Sequence, residues 1–454
     1  SGAGVPSPIL RDEPADRAQW MAGCSGRGLN LANYLEAPVP GTWGPAHRLA
    51  DYLKISVDGV DTCRIMVRWD AHATQNEAGT IDSAFFTLVD QVIGWAESCF
   101  SRTIMTLCHH RWLDNRPIEA PSIEWATGAD DAAKAVKYRA QCKAIWLQVA
   151  NRYKATTKRV AFELYNEPRW PRMDWPEYNP WFLDTAAAIR ATGSNNAART
   201  IVYDTTEYAA VYKLANCPVF DADAPLNPHI DDNIVATCHP YFPFDYTHQG
   251  GFGHAIGVNT YRFGDWVRGA IEMQFRTMRL WSNQTGVPIT ATEAGVYWRD
   301  IFNDASVRNN ESDRALYVRC VRDAAERYGI PLWVYGMSSD WGVLNLPNDN
   351  TDRDWLPGMR QALTGYPRTL GFPALPRTLA FIPGAASFTT PLATGASWDP
   401  VAQELLLGRD TNWQGYMAIT DTKPKAGARY QISNGGFGFN SAKLTWFDDP
   451  ANSG

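Results

Sequence analysis

Short apolar runs alternate with longer amphipathic stretches through most of the 454-residue chain. Runs at 26–31, 60–69, 102–109, 160–166, 200–204, 233–239, 287–293 and 331–335 are rich in β-branched, aromatic and other apolar residues. Their length and bounding polar or turn residues predict buried strands. Stretches near 45–55, 82–98, 130–153, 180–192, 263–285 and 311–328 repeat apolar positions at helical spacing, which predicts helices. Eight strands separated mostly by helices predict an α/β fold, a (β/α)8 TIM barrel over residues 20–365.

The repeat is lost at both ends. Residues 1–19 are largely polar, contain Pro and lack periodicity, and are expected to run along the surface as an N-terminal extension. Tyr366-Pro367, Pro373, Pro376 and Pro383 mark a change of character. Residues 366–375 read as a linker, and 376–454, rich in Gly, Thr and aromatics, as a small C-terminal all-β domain of sandwich type.

A net charge of −6 without any block of Lys or Arg argues against a nucleic-acid partner, because phosphate backbones are held by clustered basic residues. No run reaches the ~18 to 20 apolar residues of a membrane span, and no signal peptide is evident. The Ser-Gly-Ala-Gly start reads as a processed terminus or a tag remnant. Eight cysteines form no Cys-x-x-Cys pair or metal-ligand spacing. Cys63, Cys108 and Cys238, inside apolar runs, read as small buried hydrophobes and leave the compartment open. The 19 Trp and 19 Tyr are a rich supply of flat rings, on which sugar faces stack.

Two strands end in the same chemical form. Val160-Ala161-Phe162-Glu163-Leu164-Tyr165 runs into Asn166-Glu167-Pro168, where the proline stops the strand and leaves Glu167 at its end. Val287 to Thr292 runs into Glu293, followed by Ala294 and Gly295, small residues that would let a ligand approach. Barrel enzymes keep their chemistry at such strand ends. Two carboxylates there suggest a retaining glycosidase, which needs an acid/base and a nucleophile ~5 Å apart. His109-His110 could also read as a metal pair, but no nearby Asp or Glu completes a ligand set; no metal and no cofactor are expected.

An ordered set of motifs makes residues 20–345 resemble glycoside hydrolase family 5, the cellulase-type barrels. Gly28-Leu29-Asn30-Leu31 with Leu35-Glu36 resembles the first-strand signature, and Thr62-Cys63-Arg64-Ile65 the second strand with its arginine. His109-His110 follows the third strand, Asn166-Glu167-Pro168 the fourth, His239-Pro240-Tyr241 the sixth, and Glu293 ends the seventh. Thr247-His248-Gln249-Gly250 resembles a loop of some bacterial members. The resemblance implies Glu167 as acid/base and Glu293 as nucleophile. Arg64 and Tyr241 would support Glu293, and Asn166 the sugar 2-hydroxyl. His239 and His109 would orient Glu167 and hold sugar hydroxyls, with Asn30, His110 and His248 as further supporting candidates. The family places a tryptophan after the eighth strand. Here the best register puts Tyr335 there, with Trp333 deeper and Trp341 in the next loop. Trp112, Trp170, Trp175, Trp298 and Trp341 all follow strand ends and are candidates for a cleft.

The resemblance implies a secreted, bacterial, monomeric enzyme acting on a polysaccharide or oligosaccharide. A retaining endo-β-1,4-glucanase is the leading expectation. A β-mannanase, a xyloglucanase and an exopolysaccharide depolymerase share the scaffold. A non-catalytic carbohydrate-binding protein would need neither carboxylate. In the C-terminal segment, Trp398, Trp413, Tyr416 and Trp446 would form either a sugar-binding face or a packing core, and the short Pro-rich linker favours packing.

Overall fold

The structure, a computed structural model, describes residues 12–114, 129–216, 231–248, 263–297, 310–345 and 353–365, with four strands between 396 and 448. The chain divides into two units. The first comprises residues 1–241, 274–298 and 308–366, and the second 242–273, 299–307 and 367–454.

In the first unit, eight parallel strands close into a barrel in sequence order. They are β1 (Gly28–Leu31), β2 (Thr62–Val67), β3 (Arg102–Leu107), β4 (Val160–Glu163), β5 (Ile201–Asp204), β6 (Ile234–Thr237), β7 (Ile289–Ala294) and β8 (Leu332–Val334). Pairing of Gly28 with Trp333 and Leu29 with Val334 closes the ring. Every strand position is buried, as expected where helices cover the outside and side chains fill the inside. The protein is a (β/α)8 TIM barrel.

Helix α1 (Arg17–Ala22) precedes the first strand, and α2 (Leu49–Val57), α3 (Ser83–Cys99), α4 (Ala129–Tyr153) and α5 (Trp175–Ala191) follow β1 to β4. In α3 the sequence logic is plain. Asp82 caps its start by accepting from Ala84 N–H at 2.9 Å, and Phe85, Phe86, Val89, Val92, Ile93 and Ala96 bury one face at helical spacing. A one-turn α6 (Thr206–Ala209) follows β5, and α7 (Phe244–Thr247) and α8 (Asp265–Thr285) follow β6. Helix α9 (Asn310–Tyr328) leads into β8, and α10 (Met359–Thr364) comes after the barrel. The segment before α10 is tied back to α2: Trp355 Nε1 donates to Asp58 at 2.8 Å, and Arg353 pairs with Asp51.

Helix α1 begins inside the stretch expected to be a surface extension. Its Trp20 is wholly buried, packed with Ile104, Ala161, Val202 and Trp333 from four barrel strands, with its ring stacked 6.3 Å from that of Trp333. Arg102 locks the helix in place by donating to the carbonyls of Gln19 and Trp20, each at 3.0 Å, so a cation meets the unpaired carbonyls of the helix end.

The seven described cysteines carry free thiols, and Cys63, Cys108 and Cys238 are buried. Among the described residues no helix is long and apolar enough to cross a membrane. In the second unit, β11 (Ala396–Asp399), β12 (Glu404–Gly408), β13 (Ala428–Ser433) and β14 (Ser441–Asp448) form one antiparallel sheet in the order β11-β12-β14-β13. The two intervening strands, β9 (Leu344–Asn345) and β10 (Asp354–Trp355), are a short antiparallel pair of the first unit. Trp398 stands on β11 and Trp446 on β14, while Trp413, Tyr416 and the expected linker lie outside the described residues.

Candidate active site

A buried arginine organises the barrel mouth. Arg64 of β2 has five N–H groups, and five bonds are made. Nε and Nη2 donate to the two oxygens of Glu163 at 2.7 and 2.6 Å, and Nη2 also reaches Asn166 Oδ1 at 2.6 Å. Nη1 donates to Asn30 Oδ1 at 2.8 Å and to Glu293 Oε1 at 2.6 Å. Burial works against its charge, but Glu163 and Glu293 outweigh that and hold the guanidinium firmly protonated.

Glu293 is aimed by an irregularity in its strand. Ala291 pairs with Leu332 and Ala294 with Val334, so three steps of β7 span two of β8, a bulge that redirects the side chains between them. Thr292 in this bulge is held by Thr237, hydroxyl to hydroxyl at 2.8 Å. Glu293 Oε1 then meets Arg64, and Oε2 accepts from the Tyr241 hydroxyl at 2.9 Å. Gly295 beyond it serves packing rather than ligand access: a Cβ there would stand 2.5 Å from the Tyr335 carbonyl oxygen.

Glu167 is held at a left-handed φ of 54°, a region that non-glycine residues seldom enter. Its N–H donates to Asp204 Oδ2 at 3.0 Å, and its Oε1 meets His239 Nδ1 at 2.9 Å. The other ring nitrogen of His239 lies 3.0 Å from Thr292 Oγ1. One carboxylate oxygen each from Glu167 and Glu293 and a ring nitrogen of His239 all lie within 4.8 Å of one another.

The two carboxyls form one titrating system, since each raises the cost of ionising the other. Burial pushes both up. At Glu167 the hydrogen bond and charge of His239, helped by Arg169 and Arg64, more than reverse this and leave it below the ordinary range. At Glu293 burial prevails over His239 and Arg64, and the charge of Glu167 adds to the rise. Burial likewise pushes the Tyr241 phenol well above its usual range, reinforced by Glu293, so it stays a donor.

Other expected residues take several places. Asn30 and Asn166 are buried in the Arg64 network, and Asn30 also donates to the Thr292 carbonyl at 2.8 Å. His109 does not orient Glu167: its ring lies 3.4 Å from Glu36 and 3.6 Å from Asp114. His110 turns toward α4, where it meets Gln141 at 3.1 Å, and its Nδ1 accepts from the N–H groups of Trp112 and Leu113. It fixes the loop after β3 and stands apart from the carboxylate pair. Tyr335 follows β8 with its hydroxyl 3.5 Å from Glu36, and Trp341 packs edge-on to Tyr241, Tyr297 and Tyr335. Trp333 is buried at the barrel floor and Trp112 is buried beneath Arg172, whereas Trp170 and Trp175 are exposed. His248 caps α7 in the second unit, 2.9 Å from Thr247 Oγ1. Trp298 and Gln249 lie outside the described residues.

Sequence reasoning passed over Glu163 and Asp204. A signal was present. Arg64 and Glu163 each put a lone charge in an apolar strand run, and buried opposite charges need one another. Three sets have donor atoms close enough together to grip a cation: Glu36-Cys108-His109, Glu163-Asp204-His239 and Glu167-His239-Glu293. In the last two, Arg64 already supplies a positive charge to a carboxylate.

Comparison with known proteins agrees with this geometry. Endoglucanase H of Acetivibrio thermocellus is 26% identical over 297 residues, covering 62% of this chain and 28% of its own. Endoglucanase 1 of Ruminococcus albus is 24% identical over 358 residues, covering 72% and 76%. The chain spans 28%, 47% and 25% of the lengths of three of these curated relatives, Endoglucanase H, Endoglucanase B of Clostridium cellulovorans and Cellulase/esterase CelE of A. thermocellus. The solved structure of endoglucanase Cel5A from Thermotoga maritima superposes with a TM-score of 0.59 at 26% identity, covering 74% of this chain and 96% of that one. The cellulase family, glycosyl hydrolase family 5, matches residues 24–339. With its paired carboxylates at the mouth of a parallel barrel, the chain belongs to glycosyl hydrolase family 5, the cellulase family.

Proposed function

We propose that this chain is a retaining, endo-acting glycoside hydrolase that cleaves β-1,4-linked glucan by double displacement. The observation that carries the mechanism is the separation of the carboxyls, with oxygens of Glu167 and Glu293 within 4.8 Å. Retaining enzymes hold them about 5 Å apart, and inverting enzymes need about 6.5 to 9.5 Å to fit a water between carboxylate and sugar. The endoglucanase names of the curated relatives support the substrate.

In the first step Glu293 attacks the anomeric carbon as Glu167 gives its proton to the departing glycosidic oxygen, forming a glycosyl ester. In the second, Glu167 takes a proton from water, whose oxygen displaces Glu293. Arg64 and Tyr241 steady Glu293 as its charge is consumed and restored. The free site keeps Glu167 acidic through His239, so substrate must shift the shared proton onto it. A sugar chain over the partly exposed Glu167 would exclude water there, while Glu293 keeps both of its donors. Asn166, at 2.6 Å from Arg64, is placed to meet the 2-hydroxyl. Tyr335 and Trp341 are the aromatic candidates for the sugar platform. A polymeric substrate is too large to enter a cell, which supports action outside it.

Early-time NMR of the anomeric proton during hydrolysis of a soluble β-1,4-glucan tests this. The first product should be the β anomer; an initial α anomer removes the retaining assignment. A panel of β-glucan, mannan and xyloglucan tests the sugar, with β-glucan expected to give the highest kcat/KM.

A further inference from the structure

Asp204 ends β5, wholly buried, and its surroundings are unusual for a carboxylate. Oδ2 accepts the Glu167 N–H at 3.0 Å and stands 4.0 Å from His239 Nε2. The carboxyl also meets that of Glu163 within hydrogen-bond reach, while its Oδ1 is buried with no N–H or O–H donor among the described residues. Two carboxylates cannot hydrogen-bond to one another unless one keeps a proton. Glu163 accepts from Arg64 through both oxygens, so it is the ionised member. The remaining proton belongs on Asp204, where it turns an oxygen without a donor into a donor toward Glu163.

We propose that Asp204 is a positioning residue for the acid/base, held as a neutral carboxylic acid that donates to Glu163 and anchors the backbone N–H of Glu167. The proposal rests on Glu167 being the acid/base. The anchor matters because Glu167 occupies a left-handed backbone conformation that its own side chain disfavours. Neutrality matters because the charged groups around it are finely set. Arg64 is saturated by its five acceptors, and His239 is shared between Glu167 and Thr292. An ionised Asp204 would face Glu163 directly and compete with Glu167 for His239. Burial first, and the charge of Glu163 second, push the Asp204 carboxyl well above the usual range, against the pull of Arg64 and of the Glu167 N–H.

Two variants and one spectrum test the proposal. In Asp204→Asn the amide oxygen can accept from Glu167 and the amide nitrogen can donate to Glu163. Asp204→Asn should therefore keep kcat/KM on glucan within a few-fold of wild type. Asp204→Ala, with its fold checked by circular dichroism, should lose about 100-fold on glucan through misplacement of the acid. It should lose far less on an aryl β-glucoside with a good leaving group, which needs no protonation. A general structural defect would lower both substrates alike. The infrared difference spectrum of wild type minus Asp204→Asn at neutral pH should show the C=O stretch of a protonated carboxyl. A carboxylate band in its place, or an Asn variant as damaged as the Ala variant, overturns the proposal. If wild type cleaves no glucan, the proposed function fails, and the difference spectrum still decides where the proton is.

Discussion

His239 Nδ1 lies 2.9 Å from Glu167 Oε1, the closest approach of this imidazole to either carboxylate, with Glu293 at 3.7 Å. The hydrogen bond and charge of His239 offset the burial of Glu167, and its charge works against the rise at Glu293. Removing the ring in His239→Asn should therefore let both carboxyls rise. The acid limb of the kcat/KM profile, where the nucleophile ionises, and the alkaline limb, where the acid loses its proton, should both move to higher pH. A pH profile on a soluble glucan checks this, and an alkaline limb that stays in place contradicts it.

The Arg64-Glu163 pair joins β2 to β4 through the inside of the barrel, with both side chains fully buried. Glu163→Ala leaves Arg64 with two unmet donors and too little negative charge around it. Breaking a buried pair in this way costs about 3–5 kcal/mol, so a large fall in the urea midpoint is expected. A loss below about 1 kcal/mol, the range of a surface pair, would show that the pair is not the brace described here.

Glu167→Ala should all but abolish cleavage of natural glucans while sparing aryl glycosides whose leaving group departs unprotonated. Glu293→Ala should abolish both, because no second nucleophile faces the sugar. Steady-state kinetics on the two substrate types separates these roles, and equal losses in Glu167→Ala would take that residue out of the acid role.

His47 supplies a pH dependence of stability remote from catalysis. Its buried ring sits against Tyr34 and Tyr52, and burial is the main reason its pKa falls to about 4, despite the opposing pull of Asp51. The unfolded chain takes up this proton near pH 6.5, and the folded chain refuses it until about pH 4. The contribution is therefore present above pH 6.5 and lost as pH falls, amounting to about 3 kcal/mol once both states are protonated. Urea unfolding at pH 7 and pH 4.5 should show a smaller drop for His47→Gln than for wild type.

The barrel was legible because its strands are apolar on both faces and its helices keep an amphipathic repeat. The expected run 160–166 contains the observed β4, ending at Glu163, and the run 287–293 contains most of β7. Glu167 and Glu293 were legible for the same reason, since a carboxylate that ends an apolar strand has an address. The partners of these groups were less so. His109 and His110 are adjacent in sequence, yet one faces Glu36 and Asp114 and the other Gln141, because neighbouring side chains after a strand diverge. The β7 bulge left no mark in the apolar pattern, since Thr292 and Glu293 satisfy strand preferences whether or not the ladder slips. Asp204 carried the weakest signal, being one acid at the end of a short run, with meaning only beside Glu163.

The stack of Trp20 on Trp333 links the two ends of the barrel sequence. During synthesis Trp20 emerges before any barrel strand, while its partner belongs to the last. The ring must therefore wait, exposed or loosely sheltered, until nearly the whole barrel has been made. Its burial reports circular closure rather than the growth of any one βα unit, and its fluorescence is a natural clock for the moment at which an open, curling sheet becomes a ring.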